Sequence, residues 1–98
     1  MSYMTIVQED RRLVILRALA EDADYSHNEY VLRSFLDAYG HKIGLDQMRT
    51  ELAWLSEQGL ITIRDGSGVM VAKLTGRGKD VAEGAVVVPG VKRPEPGM

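Results

Sequence analysis

The segment from residue 45 to residue 73 constrains the fold more than any other part of this chain. Its first part repeats apolar residues at spacings of three, four and three, which places them on one face of an α-helix. These residues are Leu45, Met48, Leu52 and Leu55. Gly59 follows, and a glycine at this point can adopt the left-handed conformation that ends a helix. The segment therefore predicts a helix (helix 3) with a defined stop.

A β-hairpin is predicted directly after this helix. The run from Leu60 to Arg64 contains two isoleucines and a threonine, which favour a strand. Asp65-Gly66-Ser67-Gly68 is typical of a tight turn, and Val69 to Lys73 reads as the returning strand. Helix, glycine and short hairpin form one continuous unit.

Two further helices are predicted upstream. Helix 1 takes Thr5 as its N-cap and continues to about Ala20 or Glu21. Helix 2 takes Ser26 as the cap of a capping box with Glu29, and it ends at Gly40. A short glycine-containing turn, His41 to Gly44, then leads into helix 3, as in a helix-turn-helix.

Helix 1 is apolar on nearly every side. Between Leu13 and Ala20 only Arg17 is polar, so we expect this helix to be buried on more than one side. In a 98-residue chain the cover would be a second chain or the C-terminal tail. We therefore expect a homodimer with Ile15 and Leu19 at its interface.

A short fourth helix and a tail complete the chain. Thr75 can cap a helix that ends at Gly84, which gives a domain of residues 1–84. Residues 85–98 contain all three prolines and are predicted to form an extended tail, with a short edge strand at Val86 to Val88 stopped by Pro89. Within this tail, Pro94 to Gly97 is expected to be extended and mobile. The N-terminal residues 1–4 are expected to be frayed or to form an arm.

This order of elements resembles the winged helix-turn-helix superfamily. The resemblance is carried by the run Leu52, Leu55, Gly59, Leu60 and Ile61 and by the hairpin, which would be the wing. The expected fold is α+β and mostly α, with a three-helix core, a two-stranded wing, a short fourth helix and a C-terminal tail. The segments A-W-L-S-E-Q-G-L, L-T-G-R-G and P-G-V-K-R-P are also similar to small winged-helix proteins of Mu-like prophages, which implies a phage origin.

The resemblance implies binding of double-stranded DNA, with helix 3 in the major groove. Its outward side carries Asp46, Gln47, Thr50, Trp54 and Glu57, with Arg49 at the flank. Gln47 could pair with adenine, Arg49 with guanine or a phosphate, and Thr50 with a thymine methyl group. The Asp46 carboxylate repels phosphate, and cytosine is the only base with which it could form a specific hydrogen bond. Candidate phosphate contacts outside helix 3 are Lys42, Arg64, Lys73 and Arg77.

The charge of the chain supports DNA binding only through its distribution along the sequence. The net charge is −2, whereas residues 41–79 have six basic and four acidic residues, a balance of +2. Solvation of a polar surface is the competing explanation for these lysines and arginines. Trp54 is covered either by helix 1 or the tail, or by a protein partner or dimer mate. A winged-helix protein-interaction module without DNA binding is therefore the alternative function.

Other classes of function find little support. The chain has two histidines and no cysteine, so we expect no metal site, no cofactor and no disulfide. No nucleophile–histidine pattern or phosphate-binding loop indicates an enzyme. No signal peptide and no apolar run of about 20 residues is present, which favours a cytoplasmic protein. The leading expectation is a sequence-specific transcription regulator that acts as a homodimer.

Overall fold

The computed structural model describes residues 2–96, which contain four helices and a three-stranded antiparallel sheet. Met1, Gly97 and Met98 lie outside the described residues, and so do the parts of the predicted arm and tail that fall on them. In chain order the elements are α1 (Tyr3–Glu21), β1 (Ser26–Asn28), α2 (Glu29–Ala38), α3 (Leu45–Glu57), β2 (Ile61–Gly66), β3 (Val69–Leu74) and α4 (Gly76–Ala82).

Helix α1 begins earlier than predicted and is enclosed by its own chain. The N-cap is Ser2, whose Oγ accepts the Thr5 N–H at 3.1 Å, so Thr5 lies in the first turn. Helices α2 and α4 and strand β3 pack around α1. Ile15 and Leu19 are 0% exposed in the single chain, so their predicted place in a dimer interface is wrong. Because the single chain already covers both side chains, a second chain could bury no further area of Ile15 or Leu19.

The start of α2 also differs from the prediction. Asn28 is the N-cap, and its Oδ1 accepts the N–H groups of Tyr30 and Val31, both at 2.9 Å. Ser26 is therefore not a helix cap. Residues 26–28 extend and pair with β3, which gives the strand order β1-β3-β2. Three residues are too few to show an alternation of apolar and polar side chains, so this strand had no signal of its own.

The end of α3 follows the prediction closely. Gly59 adopts φ +74°, and its N–H donates to the Ser56 carbonyl at 3.0 Å. The Leu60 N–H donates to the Leu55 carbonyl at 3.0 Å, which completes a Schellman motif. The chain passes directly from α3 into β2, so the orientation of the wing relative to the helix is fixed.

The wing is a two-residue hairpin. Gly66 pairs with Val69, and the turn residues Ser67 and Gly68 have φ values of 56° and 82°, as in a type I′ turn. Side chains alternate along the strands, so Ala72 is buried while Lys73 is exposed. The wing therefore has one face on the core and one in solvent.

The C-terminal segment docks on the domain. Val88 and Val91 are buried in the core, and the Lys92 N–H donates to the Glu9 carbonyl at 3.0 Å. The predicted edge strand at residues 86–88 does not form, and residues 85–94 are a packed strap.

The strap also covers Trp54. Gly90 lies against its indole ring, and the Arg12 guanidinium stacks over the same ring at 3.9 Å from the centroid. Arg12 Nη1 also donates to the Gly90 carbonyl at 3.1 Å. Of the two explanations for Trp54, the structure shows cover by helix 1 and the tail together.

Candidate nucleic-acid interface

The first two turns of α3 present a free polar surface. Asp46, Gln47 and Thr50 are exposed, while Met48 on the opposite side of the helix is fully buried. Within residues 2–96, the Gln47 side chain makes no hydrogen bond, so its amide is available to a ligand. Thr50 donates its hydroxyl to the Asp46 carbonyl at 3.2 Å, which leaves its methyl group as the apolar contact it offers.

Arg49 is held by a buried carboxylate. Its Nε and Nη2 donate to the two oxygens of Glu29 at 2.7 and 3.0 Å, a bidentate pair between α3 and α2. The Glu29 side chain is 0% exposed and that of Arg49 is 41% exposed. The hydrogen bond from Arg49 is the main cause that lowers the pKa of Glu29, and the same bond raises the pKa of Arg49. Both groups are therefore charged at neutral pH.

The same pair also fixes the wing. The Met70 N–H donates to Glu29 Oε2 at 2.8 Å, and Arg49 Nη2 donates to the Gly68 carbonyl at 3.2 Å. Helix α2, helix α3 and the wing tip thus meet at one buried carboxylate. Because this edge of Arg49 is occupied, it is not available for a bidentate contact with guanine, and the predicted contact with guanine or a phosphate is limited to Nη1. Arg49 positions the wing, and only its Nη1 remains free for a phosphate.

The other basic residues divide into two groups. Lys42 and Arg64 are exposed, one in the turn before α3 and the other two residue pairs from the turn of the wing. Lys73 lies at the base of the hairpin, opposite Thr62. Five residues separate it from Gly68, or roughly 17 Å along the strand. Arg64 and Lys73 line one surface pocket on the exposed face of the hairpin, and Lys42 lines another beside α2 with Arg33 and Asp37.

Arg77 has a structural contact. Its Nη1 donates to the carbonyl of Gln58, the C-cap of α3. Asp46 and Gln58 are twelve residues apart, which is roughly 18 Å along a helix. Arg77 therefore caps the far end of α3 and lies apart from the predicted reading residues.

Two features of this surface escaped the sequence analysis. Ala53 is exposed on the outward side of α3, where Trp54 was expected to be the outward residue. Glu29 was interpreted as the acidic member of a capping box with Ser26, whereas the structure buries it against Arg49. No periodicity or spacing links Glu29 to Arg49, so the buried pair had no signal in the sequence.

Metal and membrane features are absent from the described part of the chain. Residues 2–96 contain no group of three or more His, Cys, Asp or Glu side chains that could hold a metal ion. His41 instead pairs with Asp10 at 2.6 Å. No helix within the same range is long and apolar enough to cross a bilayer.

The fold is similar to that of H. salinarum RosR. Three RosR structures match with TM-scores of 0.63–0.65 at 19% identity: the complexes hsRosR-S4 and hsRosR-S1, and RosR grown from NaBr. They cover 74% of this chain, which in turn spans 62–66% of each RosR chain, less than two thirds. At this identity the likeness concerns the fold alone, which is a winged helix, as predicted.

Two relatives are similar in sequence, while no protein-family model matches the chain. The Haemophilus influenzae relative, an "Uncharacterized protein", is 50% identical over 78 residues, 79% of this chain and 76% of its own length. "Uncharacterized protein gp26" of Escherichia phage Mu is 52% identical over 91 residues, 93% of this chain and 94% of its own length. Half of the residues are thus shared over nearly the whole of both chains, and this protein belongs to the family of phage Mu gp26.

Proposed function

We propose that this protein binds double-stranded DNA through the first turns of α3 and the wing tip, and that it regulates transcription as a dimer. The observation that carries the proposal is the free, exposed Gln47 and Thr50 beside a wing that Glu29 and Arg49 hold in place. In helix-turn-helix proteins the second helix of the motif enters the major groove with its N-terminal residues on the base edges. The winged-helix fold supports the same arrangement here.

Each contact has a separate role. The Gln47 amide suits the N6 and N7 atoms of adenine, and the Thr50 methyl group suits the methyl group of thymine. Lys42 and Arg64 would contact phosphates on either side of the groove. Asp46 would be tolerated only next to a base that donates a hydrogen bond, such as cytosine. Two to three phosphate contacts per chain make this a modest electrostatic footprint.

Selection from a randomised DNA library, followed by fluorescence anisotropy, tests the proposal. Gln47→Ala should weaken binding to the selected site by about 1–3 kcal/mol, or roughly 5- to 150-fold, and leave random DNA almost unaffected. Lys42→Ala should weaken binding to both DNAs about equally, because it removes a phosphate contact.

Arg93→Ala is the matched control, since Arg93 is an exposed basic residue beside the C-terminal ends of α1 and α4. We expect no change in affinity for either DNA. Failure of the folded wild-type protein to enrich any sequence at low salt would contradict the proposal.

A protein-interaction adaptor is the second candidate, and the charge of α3 favours it. Asp46 and Glu57 are exposed on this helix, whereas its only basic residue, Arg49, is neutralised by Glu29. Tyr30 and Val31 add partly exposed apolar area at the start of α2. Under this reading DNA binding is absent at low salt, and replacement of Gln47 has no consequence for nucleic acids.

A further inference from the structure

One face of α1 is exposed at both ends of the helix and buried at its middle, where Val14 is 9% exposed. At roughly 100° per residue, six positions fall within an arc of about 80°. They are Tyr3, Ile6, Asp10, Val14, Arg17 and Glu21. Tyr3 is 78% exposed and Ile6 is 52% exposed. Ile15 and Leu19, which the sequence suggested for an interface, lie on the other side of the helix and are buried.

An apolar groove runs along the second half of this face. It measures about 310 Å³ and lies between α1 and α2. Leu13 and Val14 line it from α1, and the stacked rings of Phe35 and Tyr39, 5.3 Å apart, line it from α2. Tyr39 is 61% exposed, so the groove is bounded by an aromatic side chain open to solvent.

The acidic Asp10 and the basic Arg17 lie two helical turns apart on the same face of α1. Asp10 pairs with His41 at 2.6 Å and lies 3.5 Å from the Lys92 ammonium. Arg17 is half-buried at the groove and makes no ion pair or side-chain hydrogen bond within residues 2–96. A half-buried arginine without an acidic partner is unfavourable, so an acidic side chain of another molecule would stabilise it.

We infer that the groove binds a second copy of this chain, with the two α1 helices antiparallel. A two-fold axis between Leu13 and Val14 places Asp10 of each copy opposite Arg17 of the other. The same axis brings Ile6 of one copy to Glu21 of the other, at the Arg17 end of the groove. Groove, apolar residues and both charges lie on one molecule, and a two-fold interface requires such a self-complementary surface.

This inference rests on the proposed function, because the role of a two-fold dimer would be to present two α3 helices to DNA. The experiment that tests the interface uses no DNA, so the dimer interface and the DNA binding can be disproved independently. A dimer without DNA binding would refute only the proposed function. A DNA-binding monomer would refute the interface and the dimeric form of the proposed function, while the DNA binding itself would stand.

Sedimentation equilibrium on charge-reversed variants tests the arrangement. At about 100 μM, enough to populate a dimer of micromolar Kd, the wild type should have twice the monomer mass of 10.9 kDa. Arg17→Glu and Asp10→Arg should each be monomeric when alone, because like charges then face each other twice. An equimolar mixture of the two variants should regain the double mass, since both contacts become Asp–Arg or Glu–Arg pairs.

Two further variants keep the test decisive if Asp10→Arg fails to fold after losing His41. Ile6→Glu changes an exposed residue and should be folded by circular dichroism yet monomeric. Val87→Glu changes an apolar residue that is 60% exposed outside the groove, and it should keep the wild-type mass. A wild type of 10.9 kDa, a dimeric Ile6→Glu variant, or a mixture of folded variants that stays monomeric would each overturn the inference.

Discussion

At the scale of single residues, Glu29 does more for this fold than its place in the sequence indicates. A carboxylate removed from water is costly unless charged or hydrogen-bonding partners surround it. Here Arg49 donates two hydrogen bonds and the Met70 backbone donates a third. The carboxylate joins α2, α3 and the wing at one point, so we expect its ionisation to affect how firmly the wing is held.

We expect Glu29→Gln to lower the free energy of unfolding at pH 7 by about 1–3 kcal/mol, because it replaces charge-assisted hydrogen bonds. The pKa of Glu29 is lowered in the folded protein. Its stabilisation is therefore complete above the pKa of an unfolded glutamate, about 4.3. It is lost as the pH falls through the lower, folded-state pKa, so the stability difference between wild type and variant should shrink in acid.

Urea unfolding at pH 7 and near pH 3 measures this difference. Glu57→Gln is the control, because Glu57 is an exposed acid on α3 with no ion pair in the described structure. Its stability should follow that of the wild type at both pH values. A Glu29→Gln variant that keeps the full stability difference in acid would show that the carboxylate is not the stabilising group.

At the scale of elements, the strap of residues 85–94 depends on one glycine. Gly90 has φ +102°, and a Cβ at this position would lie 2.6 Å from the Trp54 ring. Gly90→Ala should therefore detach the strap from Trp54 and lower the free energy of unfolding by about 1–3 kcal/mol. The fluorescence emission of Trp54, the single tryptophan, should shift to longer wavelength as the ring becomes more exposed to water.

Gly76→Ala is the matched control for this substitution. Gly76 begins α4, and a Cβ there meets nothing within 4 Å. Alanine at this helical position should leave the emission unchanged and stabilise the protein slightly, by up to about 1 kcal/mol. An unchanged emission spectrum in Gly90→Ala would contradict the docked position of the strap.

At the scale of the whole molecule, a net charge of −2 limits how strongly DNA can attract this protein. Under the proposed function, we expect affinity to come from the local placement of Lys42, Arg64 and the free Nη1 of Arg49. With two to three phosphate contacts per chain, a dimer should show a slope of log affinity against log salt of about −4 to −5.

Lys42→Ala should make this slope less steep by about 2 units in a dimer, one phosphate per chain. Anisotropy titrations between low and physiological salt measure the change. An unaltered slope would show that Lys42 contacts no phosphate.

The sequence by itself determined the elements that depend on near neighbours. The spacing of Met48, Leu52 and Leu55 predicts α3, and Gly59 supplies the positive φ that ends it. The wing follows from two strand-forming runs around a two-residue turn. Each of these signals acts within a few residues of the chain, so each can be read without knowing the fold.

Only the tertiary structure decided which of these residues are free to act. Arg49 looked like a reader of DNA, but its partners Glu29 and Gly68 lie 20 and 19 residues away. Ile15 and Leu19 looked like an interface, but α2, α4 and β3 enclose α1 and bury both side chains. Contacts of this kind arise when distant segments bury one another, and burial is set by the sum of the packed elements. The local pattern of any one segment therefore does not contain them.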